Sequence, residues 1–241
     1  MRFGIISDIH SNWEALSAVL EVLEKEKVDR YLCPGDLVGY GADPNRCVEA
    51  VRRLSCLTAL GNHDSVAAGR EEPPYFNLHA RKAIEWTREA LEGENREYLK
   101  ELPMKRIEGG WLLVHATPSE PEAWHYVLSE ERGAREFPHF NGAVCLFGHT
   151  HYPYAQRMGS LGSVLLDSQK VLLEPGFRYL LNVGSVGQPR DGDPRAAYGV
   201  YDSEAMTLEF RRVEYDIATT QKKILDAGLP RILAERLSKG S

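Results

Sequence analysis

The chain of 241 residues has no apolar run approaching the roughly 18 residues that a membrane-spanning helix needs. Residues 1–30 hold no leader-like apolar stretch either, because Asp8 and His10 interrupt the only candidate. A cytoplasmic protein without a membrane partner is therefore expected. Cysteine is sparse. Cys33, Cys47, Cys56 and Cys145 have no C-x-x-C spacing, which argues against a disulfide frame and predicts buried, reduced thiols. Long basic blocks are missing too. Pairs such as Arg52-Arg53 and Arg211-Arg212 are the nearest approach, and the formal charge is −6, so no dedicated nucleic-acid binding is expected. Neither an internal repeat nor a low-complexity linker divides the sequence, which predicts one domain spanning residues 1–241.

Against these absences stand five short apolar runs, each ending in residues able to bind a cation. Phe3-Gly4-Ile5-Ile6 leads into Ser7-Asp8-Ile9-His10, and Arg30-Tyr31-Leu32-Cys33 leads into Gly35-Asp36. Leu57-Thr58-Ala59-Leu60 leads into Gly61-Asn62-His63-Asp64, Trp111-Leu112-Leu113-Val114 into His115, and Val144-Cys145-Leu146-Phe147 into Gly148-His149-Thr150-His151. Buried strands have this form, and an open α/β sheet gathers ligands beyond the carboxyl ends of its strands. Five strand ends are thus expected to deliver Asp, His and Asn to one edge.

The first strand is expected over residues 2–7 and a helix from near Ser11. There Ser11-Asn12-Trp13-Glu14 has the form of a capping box, and Trp13, Leu16, Val19, Leu20 and Leu23 lie at helical spacing. A strand at 31–33, a helix capped by Asp43 with Pro44 in its first turn, and a strand at 56–60 follow, with parallel pairing of the three strands. Residues 65–102 are predicted to hold a Pro73-Pro74 turn and helices over 77–91 and 95–102. Strands at 105–108, 111–115 and 143–147 come next, with 118–140 reading as a loop-rich rim. Short strands near 154–158, 163–167, 178–183, 197–202 and 206–213 suggest antiparallel pairing, and helices near 216–227 and 230–238 close the chain. The predicted class is α/β, a four-layer α/β/β/α sandwich of two mixed sheets flanked by helices.

Asp8 and His10 are two residues apart, so on extended backbone both side chains would leave on one side, and His149 and His151 repeat the spacing. Of the eight histidines, His10, His63, His115, His149 and His151 fall in the clusters, whereas His79, His125 and His139 read as surface residues. Asp8, His10, Asp36, Asn62, His115, His149 and His151 make seven candidate ligands, too many for one tetrahedral ion. Two divalent ions sharing a carboxylate fit better, and Asp36 is the natural bridge. Imidazole-rich coordination favours Mn, Fe, Co, Ni or Zn over Mg or Ca. Two dications against two carboxylates and a bridging hydroxide leave net positive charge, which suits a phosphate ester.

The ordered set D-x-H, G-D, G-N-H-D, H and G-H-x-H resembles the calcineurin-like metallophosphoesterase superfamily, with residues spanning Asp8 to His151. The length, the lack of a cap domain and Gly35-Asp36-Leu37-Val38-Gly39-Tyr40-Gly41 resemble the small bacterial and archaeal phosphodiesterases grouped with the YfcE-like proteins. The resemblance implies one metal on Asp8, His10, Asp36 and His151 and a second on Asp36, Asn62, His115 and His149. It implies His63, turned away from Asn62 by strand alternation, as general acid, and Asp64 as the group orienting its ring; a helix cap is the other reading of Asp64. The implied reaction is hydrolysis of a small phosphodiester substrate by a metal-bridging hydroxide. Protein phosphatases of the superfamily carry an arginine soon after G-D, and Val38-Gly39-Tyr40-Gly41 offers none. Arg190, in the Gly187–Asp193 turn, is the candidate substitute for binding substrate phosphate; a solvated turn residue is its other reading. A phosphomonoesterase, a dinucleotide polyphosphate hydrolase and a metal-binding regulatory protein are the alternatives. Asn182, Gly184 and Ser185 are expected to support the G-H-T-H loop.

Overall fold

A computed structural model describes residues 1–72, 76–167 and 169–241, so the expected Pro73-Pro74 turn lies outside the described residues. The chain opens with β1 (Arg2–Ile5), α1 (Trp13–Lys25), β2 (Arg30–Cys33), α2 (Pro44–Arg53) and β3 (Leu57–Thr58). Three helices follow, α3 (Asn62–Ala68), α4 (Leu78–Ala90) and α5 (Gly93–Glu101), then the hairpin of β4 (Lys105–Glu108) and β5 (Trp111–Val114). Next come α6 (Glu130–Ala134), β6 (Val144–Leu146), β7 (Pro153–Gly159), β8 (Gly162–Leu165) and β9 (Lys170–Leu172). The remaining elements are β10 (Arg178–Val183), β11 (Ala196–Asp202), β12 (Thr207–Val213), α7 (Ile217–Asp226) and α8 (Arg231–Glu235).

The described strands form two six-stranded mixed sheets, ordered β3-β2-β1-β11-β12-β9 and β4-β5-β6-β10-β7-β8. Parallel pairing joins β1 to β2 and β2 to β3, as the β-loop-α pattern requires. The later strands depart in part from the antiparallel expectation. β7, β8, β11 and β12 pair antiparallel, but β10 runs parallel to β6, and the late strands divide between the two sheets.

Strand alternation builds the layers. Ile5, Leu32, Leu113, Leu146 and Leu181 point into one apolar core between the sheets. Their neighbours point outward: Cys33 packs under α1 and α2, whereas Leu112, Val114, Cys145 and Leu180 pack under Val127, Phe137 and Phe140. These strands are buried on both faces, which is why they read as continuous apolar runs. The four cysteines are free and buried.

Helix entry differs from the sequence expectation at three places. Asn12, not Ser11, caps α1, accepting the amide of Ala15, because Ser11 is left-handed at φ +54 and turns away. Asp43 precedes Pro44 at the start of α2 but makes no cap bond; its carboxylate pairs with Lys223 at 2.8 Å instead. Residues 62–68 form α3 where strand alternation was expected, since Gly61 is an extended N-cap and left-handed Gly69 stops the helix. The 118–140 rim also carries α6 and two short 3-10 turns.

Candidate metal centre

The parallel strands end well before the polar clusters, so loops deliver the side chains. β1 ends at Ile5, and Asp8 and His10 lie beyond it at φ +52 and +49. They are therefore not side chains leaving one face of an extended strand. Asp36 follows β2 at φ +56, and His149 and His151 follow β6 at +66 and +63. Left-handed backbone turns each side chain back over the strand ends, and Asp and His tolerate it better than bulky residues do.

Seven residues meet there, all buried: Asp8, His10, Asp36, Asn62, His115, His149 and His151. His10 Nε2 lies 3.0 Å from His151 Nε2, and His151 Nε2 lies 3.4 Å from Asp8 Oδ1. Asp36 Oδ2 stands 3.5 Å from His10 Nε2 and 3.2 Å from His115 Nε2, between the two halves of the cluster. His115 Nε2 also lies 3.1 Å from Asn62 Oδ1. Three donor groups of metal-binding size result: Asp8, His10 and His151; Asp36, His115 and His149; and His10, Asp36 and His63.

The outward nitrogen of each ring is engaged. His10 Nδ1 donates to Val38 O at 3.0 Å, His115 Nδ1 to Pro34 O at 3.2 Å, and His151 Nδ1 to Gln188 O at 2.6 Å. His149 is reversed, donating Nε2–H to Trp124 O at 2.8 Å and turning Nδ1 inward. A carbonyl can only accept, so in each neutral ring the proton sits outward and a lone pair faces the centre.

The carboxylates are fixed as firmly. Asp36 Oδ1 accepts the His63 amide at 2.9 Å, which leaves Oδ2 for the centre. Asp8 Oδ2 accepts from Ser7 Oγ at 2.5 Å and Oδ1 from the His149 amide at 3.0 Å. A Cβ on Gly61 would run into Asp36 Oδ1, and one on Gly148 into the Asp8 carboxylate, so both glycines are needed for close approach. Asn182 Nδ2 donates to Gly148 O and Thr150 Oγ1 and Gly184 N donates back to Asn182, bracing the G-H-T-H loop as expected, whereas Ser185 Oγ donates to Asp8 O and braces the Asp8 loop instead.

Burial pushes His10 and His151 well below the ordinary imidazole value, His63 down to about 4 and His149 to about 3. For His115 burial also opposes charge, but Asp36, Asp8 and Asp64 outweigh it and hold the ring up at about 9. Burial would raise Asp36, yet His115, His63 and His10 hold its carboxyl well below the usual range. Asp8 and Asp64 are lifted above that range by burial, with Asp36 adding to both. Without metal, the neighbouring charges favour an ionised Asp36 beside a protonated His115, and burial disfavours charge on the surrounding imidazoles.

His63 and Asp64 both depart from the expected arrangement. His63 and Asn62 differ in direction because they open α3, not because a strand alternates. Asp64 does not touch the His63 ring: Oδ1 accepts the amides of Leu37 and Val38 and Oδ2 that of Gly61, which is the cap reading. His63 Nδ1 is buried against Gly39 with no hydrogen-bond partner among the described residues. Its ring instead rests on Phe76 at 4.6 Å and Tyr40 at 4.5 Å.

Arg190 lines the small hollow over Asp36, His63 and His151, held by Gln188 Oε1 at 2.9 Å and close to Tyr40. It makes no ion pair among the described residues. Tyr40, from the Gly35–Gly41 segment, also walls the site, as do Phe76, Trp124 and Tyr126, which carry no sequence signal because aromatic residues in loops are common and their convergence is tertiary. His79, His125 and His139 are exposed.

A two-sheet α/β sandwich whose strand ends gather buried carboxylates and imidazoles defines a metal-site protein. The chain belongs to the calcineurin-like phosphoesterase superfamily, whose domain it matches over residues 1–206. The crystal structure of a metallophosphoesterase from Sphaerobacter thermophilus superposes with a TM-score of 0.88 at 41% identity, covering 100% of this chain and 99% of that one. An uncharacterized protein of Methanocaldococcus jannaschii is 42% identical over 242 residues, 98% of this chain and 97% of that protein. A symmetrical bis(5'-nucleosyl)-tetraphosphatase from Aromatoleum aromaticum is 32% identical over 94 residues, only 36% of this chain and 33% of that protein. The protein is accordingly a metal-dependent hydrolase of phosphoric esters.

Proposed function

We propose that the protein is a phosphodiesterase that works with two divalent transition-metal ions and uses His63 as general acid. Asp8, His10, Asp36 and His151 would hold one ion, and Asp36, Asn62, His115 and His149 the other. The observation that carries this reading is the set of four imidazoles whose outward nitrogens are all taken by backbone carbonyls. At the centre, His10 Nε2 and His151 Nε2 face each other at 3.0 Å as lone pairs, an arrangement that only a cation or a proton relieves. When bound, such ions supply water made acidic near neutral pH and positive charge for the phosphoryl oxygens.

The chain's own residues complete the chemistry. Arg190, without a carboxylate partner among the described residues, would contact a phosphoryl oxygen. His63 at about 4 is neutral at rest, so a general acid there must gain its proton with the substrate. Phosphate charge beside the ring favours that uptake. Room for a second ester arm supports a diester over a monoester. The hollow at the centre shares Asn62, Phe76, Tyr126 and His149 with a neighbouring cavity of about 630 Å³.

The test compares bis(4-nitrophenyl) phosphate with 4-nitrophenyl phosphate under Mn, Ni or Fe, using Asp36→Asn as control. Faster diester turnover that Asp36→Asn abolishes is expected, whereas faster monoester turnover overturns the diester assignment. No metal-dependent turnover of either ester would instead favour a regulatory metal-binding role. The partial similarity to a tetraphosphatase supports a second reading, hydrolysis of a dinucleoside polyphosphate, which diadenosine tetraphosphate tests directly.

A further inference from the structure

The cavity of about 630 Å³ beside the centre is walled by Phe76, Trp124 and Tyr126 and carries two carboxylates, Glu71 and Glu122. Each aromatic wall is tied to an imidazole of the centre. Phe76 stacks on His63 at 4.6 Å, and Tyr126 stacks on His149 at 4.2 Å with the rings 18° apart. Trp124 accepts from His149 through its carbonyl, and its indole Nε1–H donates to Glu71 Oε1 at 3.2 Å. Trp124 sits at φ +54, a strained conformation that the surrounding contacts must outweigh.

Flat apolar walls favour a planar ring. Tyr126 is half-exposed, with a face left for a ligand. Carboxylates only accept hydrogen bonds, so the ring that gains most here carries N–H donors on its edge. An acyl chain has no such donors, and a further phosphate would be repelled by Glu71 and Glu122. The volume lies within the range of small-molecule sites and suffices for a nucleoside.

We propose that this cavity holds the nucleobase of a nucleoside ester arm, a base bearing an exocyclic amino group, while phosphate lies over the metal centre. The assignment deepens the phosphodiesterase reading and rests on it for the reaction, but the binding of the base is separable from turnover.

Two measurements test it. With metal-loaded protein, adenosine 5′-(4-nitrophenyl phosphate) and methyl 4-nitrophenyl phosphate release the same phenolate and differ only in the retained arm. The adenosine ester is expected to have roughly tenfold or greater kcat/KM, an advantage that Tyr126→Ala removes through KM, in keeping with base stacking on aromatic side chains. Glu122→Gln, at an exposed position, should lower the advantage roughly threefold without a packing change. Equal kcat/KM for the two esters in the wild type, or equal losses for both in Tyr126→Ala, overturns the assignment. The second measurement is saturation-transfer NMR on metal-free protein with adenosine and with ribose. Saturation of the base protons that Tyr126→Ala abolishes is expected, and its absence in the wild type overturns the assignment. Base saturation without turnover of either ester would sink the phosphodiesterase reading and leave the nucleobase cavity standing.

Discussion

At the scale of single residues, His63 and Asp64 are neighbours with opposite consequences. His63 presents a ring whose Nδ1 has no partner among the described residues, so its removal leaves little buried polarity exposed. His63→Ala is expected to retain metal and fold but to lose rate by roughly 10²–10⁴, the usual size of an acid-base contribution. Asp64 accepts three backbone amides, from Leu37, Val38 and Gly61. Asp64→Ala strands those buried donors and should cost roughly 3 kcal/mol or more, read as a fall in Tm alongside any loss of rate. Metal analysis decides the remaining question for His63, which also lies within reach of His10 and Asp36. Loss of one ion in His63→Ala would make it a ligand and vacate the role of acid.

At the scale of elements, the loops after β1, β2 and β6 carry five strained candidate ligands, and helices hold those loops in place. Asn12 joins two of these helices to the loop at Gly187. It caps α1, donates to Gly187 O at 2.8 Å, and lies 3.1 Å from Thr220 on α7. Asn12→Ala is expected to destabilise by about 2–3 kcal/mol, more than a cap alone, and to raise the metal concentration needed for half-maximal activity. A stability loss confined to about 1 kcal/mol with unchanged metal dependence would reduce Asn12 to a simple cap. The same elements explain what was legible in the sequence. The clustering of these residues was legible because Asp and His rarely follow apolar runs five times over, and the strands were legible because burial on both faces makes them uniformly apolar. The φ values of Asp8, His10, Asp36, His149 and His151 were not, since backbone handedness at a non-glycine residue is imposed by tertiary contacts. Nor was α3, whose seven residues are too few for a periodic signal. The aromatic walls were hidden for a related reason: Phe76, Trp124 and Tyr126 come from two separate loops that only the fold brings together.

At the scale of the whole molecule, the buried imidazoles should set how stability depends on pH. His10, His63, His149 and His151 bind protons more weakly folded than unfolded, where imidazole titrates near about 6.5. As pH falls below that value the unfolded chain takes up protons first, so these four groups withdraw stability, His63 and His149 over the interval down to about 3–4. Asp8 and Asp64, raised by burial, offset part of this, because the folded state protonates them before the unfolded chain does. His115 acts on the alkaline side. Held up at about 9, it contributes stability that is complete below about 6.5 and lost as pH rises through 9. Metal-free protein should therefore be most stable near neutrality, with Tm falling on both sides. In the proposed coordination a bound ion needs His115 without its central proton, so loading would release protons and be favoured by higher pH. The rise in Tm on adding Mn should be larger at pH 8 than at pH 6, reaching about 2.7 kcal/mol of stabilisation where free metal is a hundredfold above Kd. His115→Gln should flatten the alkaline limb of the metal-free curve while leaving the acid limb in place. An unchanged alkaline limb would mean that His115 is not the group holding the proton, and that Asp36 meets the cation unprotected.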